Sequence, residues 1–61
     1  MREREDARKA ARESVERLFT EKKLTMPNLP LDQIDPSQVR GLSGSDIERL
    51  KKQIAIYKSN L

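Results

Sequence analysis

Gly44-Ser45-Asp46-Ile47-Glu48-Arg49-Leu50-Lys51-Lys52-Gln53-Ile54-Ala55-Ile56-Tyr57-Lys58-Ser59-Asn60-Leu61 carries the strongest periodic signal in the chain. Ile47, Leu50, Ile54, Tyr57 and Leu61 follow at spacings of 3, 4, 3 and 4, a seam that only a helix brings to one side. The spacing predicts a helix over about 44–60. Two N-caps compete for its start: Ser45 with Glu48 as a capping box, or Ser43 with Asp46, which adds a staple between Leu42 and Ile47. Ile56 alone is out of phase. It falls about 180° from Ile47 and belongs to the outer surface.

A seam along one helix requires a second surface to cover it, and the first part of the chain offers one. Ala7, Ala11, Val15, Leu18, Phe19 and Lys22 share a helical face, with Ala10 and Ser14 at its margin, which predicts a helix over about 3–23. Glu5 and Lys9, Arg12 and Glu16, Glu13 and Arg17, and Arg17 and Glu21 are opposite charges four apart on its outer sides. The first six residues lack an apolar anchor and are expected to fray.

Between the helices, residues 24–42 hold all three prolines and Gly41. Pro27 and Pro30 remove two backbone donors and drive Met26 and Leu29 out of the helical region, which ends the first helix near Leu24. Asp35-Pro36-Ser37-Gln38 reads as a one-turn helix, with Asp35 as cap, Pro36 at the first position and Gln38 three after the cap. Gly41 can take the left-handed conformation that stops it. Ile34, Val39 and Leu42 then face the helices. The expected fold is all-α, a two-helix hairpin in one small domain over residues 1–61, with an extended proline-containing linker and a one-turn helix between.

Sixty-one residues, 34% hydrophobic and 38% charged, with one Phe and one Tyr, supply only a thin core. Cys and His are both absent, so neither a disulfide nor a thiolate or imidazole metal site is available to reinforce it. A partner or self-association is what remains. Leu18, Phe19 and Ile56 are the expected interaction residues, because one seam leaves their outer sides uncovered. No apolar run reaches the length of a membrane span, and charges open the chain where a leader has its apolar core, so a soluble, unprocessed protein is expected.

The same composition argues against catalysis. Ser14, Thr20, Thr25, Ser37, Ser43, Ser45 and Ser59 have no histidine to activate them. Asp32 and Asp35 are better explained by turn and cap roles than by a divalent ion. The Leu42-Ser43-Gly44-Ser45 segment has one glycine, too few for a phosphate-cradling loop. No catalytic residue, metal ligand, cofactor or small-molecule substrate is assigned. The chain carries 13 Lys plus Arg against 10 Asp plus Glu, and the excess sits at its ends: +2 over residues 1–24, −1 over 25–42 and +2 over 43–61. Arg49, Lys51, Lys52 and Lys58 are opposed on their helix only by Asp46 and Glu48, so they are the expected nucleic-acid-binding residues. No helix-turn-helix pattern accompanies them, and Tyr57 belongs to the seam, so sequence-specific readout and aromatic stacking are not expected.

Asn28-Leu29-Pro30, Ile34-Asp35, Ser45-Asp46-Ile47 and the run from Leu50-Lys51 to Tyr57-Lys58 resemble the opening segment of short proteins from phages and bacterial mobile elements. These include the N-terminal region of terminal proteins of protein-primed phages, and the likeness covers roughly residues 12 to 60. It implies DNA binding without sequence preference. Priming is not implied, because the segment that primes lies far downstream in those proteins. The expected function is a small accessory module that binds nucleic acid or docks on a replication or transcription complex, in a bacterial cytoplasm or a virion. The rival expectation is a protein-interaction, scaffolding or virion subunit that oligomerises through its helical seam.

Overall fold

The computed structural model describes residues 2–61: α1 (Arg2–Glu21), two 3₁₀ turns (Leu31–Gln33 and Pro36–Gln38) and α2 (Gly44–Ser59). The described residues form an all-α hairpin with no strands, as the periodicity predicts. Of the stretch expected to fray, Met1 lies outside the described residues, and residues 2–6 are helical with 3–6 exposed.

The competition for the start of α2 goes to Ser43. Its hydroxyl oxygen accepts from the Asp46 backbone N–H at 3.3 Å, and the Asp46 carboxylate accepts from the Ser43 backbone N–H at 3.3 Å. This reciprocal arrangement satisfies donors at both ends of the first turn. The helix stops at Ser59, and Asn60 caps it by donating its backbone N–H to the carbonyls of Tyr57 and Lys58. Leu61 is therefore off the helix and 59% exposed, which removes it from the seam assigned to it. Ile47 and Tyr57 are half-buried, and the two central positions, Leu50 and Ile54, are buried.

Across from them, α1 buries Ala11, Val15, Leu18 and Phe19, the face its spacing predicts. It ends at Glu21, short of the expected 23–24, and the prolines are not what stops it. The Leu24 N–H bonds the Phe19 carbonyl at 2.8 Å and the Lys23 N–H bonds the Thr20 carbonyl at 3.1 Å, the paired bonds of a Schellman motif. Lys23 supplies the left-handed residue, at φ 57°, where glycine is usual. Leu24 then packs against the core that contains Phe19, the contact that accompanies this motif.

The linker closes the third side. Leu31 and Ile34 join the core as buried residues, and Leu24, Met26, Val39, Leu42 and Tyr57 pack around it. Leu31–Gln33, a turn that the linker reading missed, is what seats Leu31. Asp35 caps the second turn by accepting from the Ser37 backbone N–H at 3.0 Å and the Ser37 hydroxyl at 2.7 Å, while Gln38 gives its backbone N–H to the Asp35 carbonyl at 3.0 Å. Gly41 has φ 91°, a conformation that favours glycine, and a Cβ there would stand 2.9 Å from a terminal methyl of Leu24, which would have to shift. Helix α2 touches α1 and both 3₁₀ turns and so organises the whole molecule.

This closure corrects the interaction surface. Leu18 is 6% and Phe19 2% exposed, because α2 and the linker cover the sides that a bare two-helix pair would leave open. Ile56, at 36%, is the expected interaction residue that stays outward.

Candidate functional site

Arg49, Lys51, Lys52 and Lys58 are all exposed on α2. At about 100° per residue they fan over the outer half of the helix and do not share one line. Arg49 stands at the edge facing α1, Lys51 and Lys58 on the opposite side, Lys51 toward Asp35 of the linker, and Lys52 between them, with Ile56 between Arg49 and Lys52.

The acids of α2 divide differently from the cations. Asp46 is buried, and its Oδ2 receives the Lys22 Nζ at 3.1 Å and the Ser43 hydroxyl at 2.9 Å. The Lys22 ammonium, then the Ser43 hydroxyl, hold this carboxyl below its ordinary value of 3.8 against the opposing effect of burial. Its charge is thus spent on a residue from the end of α1, and it neutralises none of the four outward cations. Glu48 is left as the exposed acid of α2. Lys51 has company that sequence spacing hid: it attracts Asp35, whose carboxyl is held low first by the Ser37 hydroxyl, then by the Ser37 backbone N–H, with Lys51 adding to these.

The α1 edge of the fan borders a groove of about 370 Å³ between the helices. Arg17 and Glu21 on α1, and Arg49 and Gln53 on α2, line it, with Ser14 on its wall and Leu18 at its floor. The spacing of four predicts intrahelical pairs of Arg17 with Glu13 and Glu21. Among the described residues neither acid lies within ion-pair distance of it, whereas Arg12 pairs with Glu16 at 3.1 Å. A second, more apolar hollow of about 430 Å³ lies under the linker, lined by Phe19, Leu24, Leu29, Ile34 and Val39 among others.

Two long-range contacts had no periodic signature in the sequence. The Lys22–Asp46 pair ties the two inner helix ends, and its one hint was a lysine on the apolar side of α1. At the opposite pole the Arg8 guanidinium donates to the Asn60 carbonyl at 2.8 Å, placing positive charge at the C-terminal end of α2, where the helix dipole favours it. Among the described residues no group of three or more carboxylates gathers as a metal site would require. No helix among the described residues is long and apolar enough to cross a membrane. No protein-family model, curated protein or solved structure matches this chain.

Proposed function

We propose that this chain is a small nucleic-acid-binding module that contacts phosphates without sequence preference through Arg49, Lys51, Lys52 and Lys58, of the kind an accessory protein of phage or mobile-element replication uses. The observation that carries the reading is the diversion of Asp46 into the Lys22 pair, which leaves Glu48 as the exposed acid of α2 beside four exposed cations, of which Lys51 also has Asp35 of the linker near it. Cations on a rigid helix meet phosphates as point charges and release counterions, with no demand on base identity. The rival reading, a subunit that oligomerises through its seam, has less to stand on, because the chain's own α1 and linker fill that seam. Of the rival's contact residues only Ile56 is outward.

Reversing all four cations to glutamate tests the proposal. Binding to generic duplex DNA is expected at roughly 10⁻⁴ to 10⁻⁶ M at physiological salt, with a log–log salt slope no steeper than about −4. The reversed variant should keep its helical circular dichroism and lose the binding. A wild-type chain that binds no DNA at low salt sinks the reading and promotes the protein-interaction one.

A further inference from the structure

The groove between α1 and α2 has a composition that a solvated helix surface does not explain. Its two lips each carry an arginine, Arg17 on α1 and Arg49 on α2, and a turn farther along the same lips stand the Ser14 hydroxyl and the Gln53 amide, able to donate and accept hydrogen bonds over an apolar floor of Val15, Leu18 and Leu50. Arg17 lacks the ion pair that its neighbour Arg12 makes with Glu16, so its guanidinium is available to an outside anion. We propose that this groove binds a single-stranded nucleic acid, with backbone phosphates bridged by Arg17 and Arg49 and one nucleotide set down between the lips. The inference rests on the nucleic-acid reading above and extends its surface from α2 onto α1.

The strandedness follows from dimensions. A hollow of about 370 Å³ is on the scale of one unpaired nucleotide, whereas a duplex keeps its bases paired inside and meets such a hollow with its backbone alone. A duplex offers the groove phosphates only; a single strand also offers base edges to Ser14 and Gln53. Glu21, the one acid in the lining, stands one turn past Arg17, where it disfavours phosphate and can accept from a base N–H, the thymine imide included. With no aromatic in the lining, hydrogen bonds and charge replace stacking as the source of affinity.

Fluorescence anisotropy with labelled oligothymidylate of roughly 12 nucleotides tests this, compared with the same strand in a duplex with oligodeoxyadenylate. Three proteins are titrated at several salt concentrations: wild type, R17Q and R12Q. The last two remove the same charge from the same helix, and circular dichroism verifies that both stay helical. The expected result is tighter binding of the single strand than of the duplex. R17Q should weaken single-strand binding about three- to fivefold, the scale of an exposed ion pair, and flatten the salt slope by about 0.7. R12Q should change neither by more than a small fraction of this. Equal losses in R17Q and R12Q, or tighter binding of the duplex, overturn the groove while leaving the outer cations of α2 as the binding surface. Absence of any binding by the wild type at low salt overturns both.

Discussion

Asp46 does three things with one carboxylate: it completes the cap of α2, it pairs with Lys22, and by that pairing it unmasks the cations farther along its own helix. Its titration should therefore be visible in stability. A carboxyl held below its unfolded value stabilises the fold above that value, about 3.9, and the contribution disappears as pH falls through the lower folded one. Asp35, held low by Ser37, acts with the same sign. Urea midpoints should thus hold steady through neutral pH and drop below about pH 4. D46N should be less stable at pH 7, because it keeps the acceptor for Ser43 but loses the charge for Lys22, and its acid slope should be shallower. Parallel pH profiles for wild type and D46N would show that the Lys22 pair carries no free energy. Lys23 illustrates the opposite situation at the same scale: a left-handed backbone at a lysine costs roughly 1–2 kcal/mol relative to the right-handed form, and the Leu24 contact and the two Schellman bonds hold it in place.

At the level of elements, α2 is central because its middle turn faces α1 on one side and the linker on the other. Leu50 is fully buried there, and truncating it leaves a void that a thin core cannot close. Leu50→Ala should cost about 2–4 kcal/mol, against a total stability of roughly 3–5 kcal/mol for a scaffold of this size. Thermal melts followed at 222 nm should show the variant largely unfolded at room temperature, and a wild-type melt would mean that the seam is not the core. The helices were legible in the sequence because periodicity reports which side of a helix is buried: the Val15-Leu18-Phe19 and Leu50-Ile54 faces are where the spacing puts them. The ends were less so. Leu61 keeps the seam's spacing yet lies beyond the helix, since spacing says nothing about where backbone bonding stops. The end of α1 was assigned to prolines, whereas a lysine without any sequence signature turns the chain. For the proposed site, exposure of the four cations followed from their phase, but the nearness of Lys51 to Asp35, and of Arg17 and Arg49 to one groove, depend on how elements pack and leave no trace in local spacing. Leu18 and Phe19 were misjudged for the same reason: the linker's cover over them is a tertiary fact.

The molecule as a whole measures 35 × 20 × 17 Å, longer than its packed core requires, because α1 begins before the level at which α2 ends. Arg8 reaches Asn60, so about six residues of α1, roughly 9 Å at 1.5 Å per residue, project past that pole. The inner ends of the helices and the linker occupy the other pole. Every element thus returns the chain to one side, and the contact between Arg8 and Asn60 spans 52 positions of sequence. A backbone circle is already nearly drawn. Joining the two ends through a flexible peptide of about ten residues, each spanning up to 3.6 Å, leaves slack to cross the projecting part of α1 and the width between the helices. Cyclisation removes conformations from the unfolded chain alone, and on the loop-entropy model a closure of this size adds roughly 4 kcal/mol, comparable to everything the linear fold has. The circular chain should melt well above the linear one, and linear and circular forms of Arg8→Ala should reveal how much of the guanidinium's service was to hold those ends together.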